Sequence, residues 1–505
     1  MLLLSAVVVL AIVLKTYNSF CAAIPLSVSL GFAAKTFVVM LLMSGAVFLL
    51  FRKKDTFKAS LLAGLLVLLY GFGGDMLNTV KTLAPQSRLA SYSLLLPLLL
   101  VLVVTVGMYL YRSSASFGKA FRFLRIYVLL LLAYELVMLG VNLSSPKSSF
   151  RNRLYSHEPL PAVTAAPVAD LPDVYLIILD SYTSDKALQE QLHFDNSANT
   201  TALAAQGFRT GLGVRSNYAY TFLSVSSMLN GQLAQVLPDT MDVNTMLKAI
   251  ENIWHNRLQY LFRDLGYDIR NQGVFGMDLA PISVPMYFDW VYDRCFDNHT
   301  LYGKVYNDIG WNFSTNKAIG GKVEYTDALK KTRERHVQNF IMHNYEALLQ
   351  DATTTSGKPV FTYGHMILPH EPYYLDSVGK YYPDSLMLSP KLSPKERYLN
   401  HLRYANTLLQ KMAGAFAADS RKKIVVILGD HGFRGYKEEA QKSSLFDVYC
   451  TVYNSSGLDL GRMDSTTNVN VMLNVVEAVS KQKLPRPADT SIFINDHDMF
   501  PHFMH

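Results

Sequence analysis

The chain has 505 residues, with 47 Lys and Arg against 40 Asp and Glu, a formal net charge of +7. The surplus sits at one end: residues 1–150 carry 13 Lys and Arg against three Asp and Glu, leaving 34 against 37 for residues 151–505. This balance does not support a basic nucleic-acid surface, and the three cysteines, Cys21, Cys295 and Cys450, have neither CxxC nor zinc-finger spacing.

Apolar stretches dominate the first part. Leu2 to Leu14 is short, and further runs extend from about Gly31 to Phe51, Phe57 to Leu77, Leu89 to Tyr111 and Phe123 to Leu143. The last four are each about the 20 residues that a bilayer core requires. Backbone at that depth must satisfy its own hydrogen bonds, so helices are predicted. Arg52, Lys53, Lys54 and Lys58 follow the second run, and Arg112, Lys119, Arg122 and Arg125 follow the fourth. Only Lys81 and Arg88 lie between the third and fourth. The two denser loops are expected on the cytoplasmic side, which puts everything after residue 143 outside. Lys35 and Glu135 are the charges read as lying well inside the apolar runs, Lys35 near an end. Residues 1–143 are thus expected as a bundle of five spans. Residues 144–172, rich in Ser, Pro and Ala, read as a linker, and residues 173–505 as an α/β domain.

In the soluble part, "DVYLIILD" (173–180), "KPVFTYGHMILPH" (358–370) and "KKIVVILGDHG" (422–432) are Val/Ile/Leu-rich runs. Such runs suit strands buried on both faces, with helical patterns between them that imply a sheet covered by helices. "YTDALKKTRERHVQNFIMHNYEALLQD" is one such helical stretch. "KERYLNHLRYANTLLQKMAGAF" is an amphipathic helix, with Tyr398, Leu402, Ala405 and Leu409 on its apolar side. Ligands in such sheets bind beyond the carboxyl ends of the strands. The three runs would carry Asp180, Asp430, His431 and a histidine, His365 or His370, to one edge. Singly, an Asp that closes a strand is a turn or cap residue and a lone His is structural. Together they form an oxygen and nitrogen set suited to zinc or manganese.

"TFLSVSSMLNG" (221–231) puts Thr221, Ser224 and Ser227 on one helical face. Thr221 at the start of that helix is an N-cap, or a hydroxyl placed where free N–H groups favour an alkoxide and a phosphate. The spacing alone leaves both readings open. Cys295 and Cys450 are likewise either a pair or two small buried thiols.

Taken together, these residues resemble the alkaline phosphatase superfamily, and within it the membrane sulfatase-like transferases such as phosphoethanolamine transferases and lipoteichoic acid synthase. "TFLSVSSM" is similar to the T-x-x-S-x-x-C/S-M pattern around their nucleophile, "GDHGFRG" to their S-D-H-G-E segment, and "LPHEPY" to a phosphoryl-binding loop. The resemblance implies an alkaline-phosphatase/sulfatase-like central sheet outside the cytoplasmic membrane. It implies Asp180, Thr221, Asp430 and His431 as metal ligands, Thr221 as nucleophile and His370 as the phosphoryl-binding histidine; His365 has no counterpart. The implied reaction moves a phospho-substituent from a membrane phospholipid to an envelope glycan or lipid. Asp180 stands where the transferases carry Glu, and Phe433 where they carry the Glu after D-H-G. "SVSSML" lacks the C/S-x-P-x-R needed for formylglycine, which argues against a strict sulfate-ester hydrolase. A phosphodiesterase or phosphatase on the same scaffold, and a non-catalytic membrane module, are the alternatives.

Overall fold

A computed structural model describes residues 1–20, 24, 26–51, 55–84, 87, 91–144, 171–235, 237, 241, 243–282, 289–309, 327–354, 356–387, 391–435 and 439–495. The expected linker lies almost wholly outside the described residues. The chain forms two compact units: residues 1–144 with 289–309, and residues 171–282 with 327–495.

Among the described residues, the first unit contains five helices long and apolar enough to cross a membrane: α1 (Leu2–Phe20), α2 (Leu26–Leu50), α3 (Thr56–Leu83), α4 (Tyr92–Arg112) and α5 (Gly118–Ser144). All but α4 run several residues past an end of the apolar stretch that marks them. One consequence is that Lys15 enters α1, where it pairs at 2.7 Å with Asp75, which lies within the α3 run itself. Lys35 and Glu135 are therefore not the whole set of charges inside the helices. The helices Asp289–Asp297 and Leu301–Ile309, distant in sequence, belong to this unit. They dock through close backbone contact. Gly74 of α3 donates its N–H to the carbonyl of His299 at 3.0 Å, and a Cβ at Gly74 would stand 2.7 Å from the carbonyl of Thr300. Ion pairs reinforce the contact: His299 with Asp75 at 2.9 Å and Lys81 with Asp308 at 2.6 Å.

The second unit is built on a six-stranded sheet: β1 (Asp173–Leu179), β2 (Phe208–Thr210), β3 (Asp268–Gln272), β4 (Val360–Met366), β5 (Lys423–Gly429) and β6 (Cys450–Asn454), in the order β2-β6-β5-β1-β4-β3. Strands β5, β1, β4 and β3 are parallel, whereas β6 and β2 add antiparallel pairings at one edge. The sheet is therefore mixed, and the parallel expectation applies to its centre. Every residue of β1, β4 and β5 is buried, so both faces of the sheet centre are covered. Cys450 in β6 and Cys295 in the first unit are both buried, and no disulfide joins them.

Register does the positioning. Leu179 of β1 lies level with Gly429 of β5 and with Met366 of β4. The next residues on β1 and β5 are Asp180 and Asp430, so two adjacent strands deliver their carboxylates at the same height. His365 stands opposite Ile178, near the same edge of β4.

Candidate metal centre

Each side chain at this edge is held by its own local bonds. Asp430 Oδ1 accepts from the backbone N–H groups of Ser181 at 3.0 Å and His431 at 2.9 Å, while Oδ2 has no hydrogen bond. Ser181 adopts a positive φ of 64° to turn the chain after Asp180. Tyr398, from the helix Pro394–Ala418, fixes that turn by donating to the Ser181 carbonyl at 2.9 Å. His431 Nδ1 lies 2.8 Å from the Gly432 carbonyl and donates to it. Nε2 is then left with its lone pair facing the site. His365 is oriented through Nδ1, 2.9 Å from the Tyr363 hydroxyl, and its Nε2 has no hydrogen bond.

The helix Thr221–Asn230 enters from another direction. Its N-cap is Tyr220, so Thr221 is the first helical residue and not the cap. All ten of its residues are buried. Ser224 ties the helix to the sheet edge by donating to the Asp430 carbonyl at 2.6 Å. Of the face Thr221–Ser224–Ser227, Thr221 thus reaches the functional side chains and Ser224 holds the helix in place.

The result is a cluster around His431 Nε2. Thr221 Oγ1 is 3.3 Å away, Asp180 Oδ1 3.5 Å and Asp430 Oδ2 3.6 Å. Donors about 2.1 Å from a tetrahedral cation stand about 3.4 Å from one another. The distances from His431 Nε2 are of that size. Asp180 Oδ1 and Asp430 Oδ2 are buried and without hydrogen bonds, a costly state for carboxylate oxygens unless a cation completes it. Among the described residues, two sets of three meet the geometry for holding an ion, Asp180–His370–His431 and Asp180–His365–Asp430, and both share Asp180. His365 Nε2 lies 3.5 Å from Asp180 Oδ2 and His370 Nε2 lies 4.0 Å from Asp180 Oδ1. His370 is 21 % exposed, against 0 % for His365 and His431, which makes it the open face of the cluster.

Electrostatics agrees with this arrangement. Burial would raise the Asp180 carboxyl, but the imidazoles of His370, His365 and His431 outweigh it and hold the group below its usual range. Burial, then the Arg434 guanidinium, pushes His431 down to about 4, which leaves it neutral and able to ligate near neutral pH.

Two residues without an assigned role in the sequence stand here. His365 is one. Arg434 is the other: its Nη2 lies 2.8 Å from His431 Nε2, and its guanidinium stacks over the Tyr220 ring at 5.0 Å. His401 and Asn406, which lie on the amphipathic helix, serve packing instead. His401 Nε2 accepts from the Leu375 N–H at 2.9 Å, and Asn406 accepts from the Tyr182 hydroxyl.

Residues 172–504 match the family model described as Sulfatase. The chain belongs to the sulfatase family. It is thereby an enzyme of the sulfatase-like type. Among solved structures it is similar to the periplasmic domain of EptC from Escherichia coli in complex with zinc, at 11 % identity and a TM-score of 0.40, covering 64 % of this chain and 87 % of that one. It is also similar to the lipooligosaccharide phosphoethanolamine transferase EptA from Neisseria meningitidis, an integral membrane protein, at 14 % identity and 0.38, covering 93 % and 95 %. The lipoteichoic acid synthase LtaP from Listeria monocytogenes follows at 11 % identity and 0.34, covering 65 % and 78 %. A search of curated proteins returned no match.

Proposed function

We propose that this sulfatase-family enzyme transfers a phospho-substituent, of the phosphoethanolamine or phosphoglycerol type, from a membrane phospholipid to an envelope glycan or lipid. Asp180, Thr221, Asp430 and His431 would hold zinc or manganese, and Thr221 would carry the phospho-substituent between the two half-reactions. The observation that carries this reading is the Thr221 hydroxyl 3.3 Å from His431 Nε2, beside two buried carboxylate oxygens without hydrogen bonds. When bound, the cation would polarise the phosphoryl oxygens and make the Thr221 hydroxyl more acidic.

The chain's own groups supply the rest. Thr221, its hydroxyl proton first released to solvent, forms a bond from Oγ1 to phosphorus as the bond from phosphorus to the lipid alcohol breaks. His370, the most open of the three histidines, donates a proton to that departing alcohol. In the second half-reaction the acceptor hydroxyl gives its proton to His370 and bonds to phosphorus, and Thr221 leaves. A positioned acid–base group of this kind contributes about 10²–10⁴-fold. In this reading the five apolar helices would hold the enzyme in the membrane that contains the donor, and the charge of the loops favours an orientation with the catalytic unit outside a cytoplasmic membrane.

The test is incubation of the full chain with a headgroup-labelled phospholipid and envelope extract. Label should appear on Thr221 and then on a glycan or lipid acceptor, and Thr221→Ala should lower turnover roughly 10³-fold or more. Label found only as free headgroup would make the enzyme a hydrolase. Unchanged turnover and metal content in Thr221→Ala would remove the nucleophile assignment.

A further inference from the structure

Asp180 stands in a tight turn, one residue past the end of its strand. Its own N–H still follows the sheet, donating to the Met366 carbonyl at 3.0 Å. The chain then reverses within Leu179–Tyr182, closed by the Tyr182 N–H on the Leu179 carbonyl at 3.2 Å. The third residue of that turn is Ser181, with a φ of 64°. Glycine fills such a position most easily because it has no Cβ to clash. A serine stays there only where its surroundings impose the conformation. Whatever imposes it also aims the Asp180 carboxylate.

Ser181 is buried, and each of its polar groups is engaged. Its N–H donates to Asp430 Oδ1 at 3.0 Å. Its hydroxyl donates to the Gly432 carbonyl at 3.3 Å, and the same carbonyl receives His431 Nδ1–H at 2.8 Å. Its own carbonyl accepts from the Tyr398 hydroxyl at 2.9 Å. A shift of Ser181 would therefore move Asp180 through the chain, Asp430 through the N–H and His431 through Gly432.

Tyr398 reaches this turn from outside the sheet. The capping box of Ser393 and Glu396, with Pro394 at the first helical position, fixes the end of the helix that carries it. The Tyr398 hydroxyl also accepts from the Thr183 N–H at 3.4 Å, so it grips the chain on both sides of Tyr182. Its ring packs on Phe433, in the loop after His431, with centroids 4.3 Å apart. In the sequence Tyr398 reads as one apolar position of an amphipathic helix. Its hydroxyl does more than fill the core.

We propose that Tyr398 is a positioning residue of the metal centre, acting through the left-handed Ser181 to hold Asp180, Asp430 and His431 in register with one another. The inference rests on the metal-centre reading above.

The test uses the full chain purified in detergent, stripped of metal and titrated with zinc against a competing chelator. Tyr398→Phe keeps the ring and loses the hydroxyl. It should weaken zinc binding about tenfold, the size of effect usual for losing a group that orients ligands. In a Ser181→Gly background the same change should cost less than about twofold, because glycine adopts the turn without being held. A tyrosine that only filled the core would lower the melting temperature in both backgrounds and leave zinc affinity alone. Zinc affinity in Tyr398→Phe within about twofold of the wild type overturns the proposal, and so does an equal loss in both backgrounds. Should Tyr398→Phe not fold, Ser181→Ala against Ser181→Gly decides. Both lack the hydroxyl and only alanine resists the turn, so weaker zinc binding by the alanine variant supports the proposal and equal binding overturns it. A wild-type chain that bound no zinc would sink the metal-centre reading as well, whereas the other failures sink the role of Tyr398 alone.

Discussion

Arg434 and His365 set the chemistry around Asp180 more than their neighbours in sequence suggest. Arg434 donates to the lone pair of His431 that a cation needs, so the guanidinium must leave that atom when metal binds. Once released it is a planar double donor beside a phosphoryl site. Arg434→Ala should therefore tighten metal binding, read by competition with a chelator, while raising KM for a phosphodiester about tenfold; Arg434→Lys should not restore KM. His365 is expected to act on the same carboxylate from the other side. His365→Ala should weaken metal binding about 10–100-fold, the usual effect of losing a group that orients a ligand. A chelator titration in which His365→Ala matches the wild type would separate His365 from the centre. The role of Arg434 was not visible in the chain, and His365 was legible only as one of two histidines that could reach the strand edge. Its meeting with Asp180 depends on which strands are neighbours and in what register. Arg434 follows "DHGF" in a loop, and nothing in its spacing says that it folds back on His431.

At the level of elements, much more was legible. The runs ending at Asp180 and Asp430 show as apolar stretches because β1 and β5 are buried on both sides, and an Asp directly after such a run can only stand at the strand's end. The five apolar helices were legible for the same reason, since a lipid-facing surface leaves few polar residues. The end of α1 was not, because Lys15, which closes its apolar run, is neutralised by Asp75 of α3 and stays within the helix. The antiparallel β2 and β6 were missed because β2 has three residues and β6 mixes Thr and Tyr with its apolar positions. The two helices of 289–309 look like ordinary soluble segments, and only their partners show otherwise. Gly74 is the tightest of those contacts. Gly74→Ala would drive a methyl group into the backbone of Asn298–Thr300, at a cost of about 1–3 kcal/mol. A thermal melt of the full chain should report it as a lower transition temperature, whereas Gly140→Ala, with open space around it, should be neutral or better.

The whole molecule should be acid-sensitive and cation-dependent. His401 is pushed down to about 3, by burial and then by the nearby His336, and His336 is pushed down to about 4, by burial and then by His370. Both are neutral when folded and near 6.5 when unfolded. Between about pH 3 and 6.5 the unfolded chain binds more protons, so stability falls as pH drops through that window, by up to about 1.4 kcal/mol per pH unit for each histidine. His401→Gln, which keeps an acceptor for the Leu375 N–H, should flatten the loss, measured as melting temperature against pH. Chelation should lower the melting temperature at neutral pH, and zinc or manganese should restore it, because a ligand of the folded state alone stabilises by mass action. Finally, residues 289–309 give the chain a topology that a simple anchor-and-head enzyme lacks. The polypeptide leaves the helical unit after α5, returns to it within the catalytic half, and leaves again. A protease that cuts only within 145–170 should therefore release nothing into the supernatant. Shedding of the catalytic half would require a second nick, and a secreted fragment starting at residue 173 would expose two helices whose natural neighbours stayed behind in the bilayer.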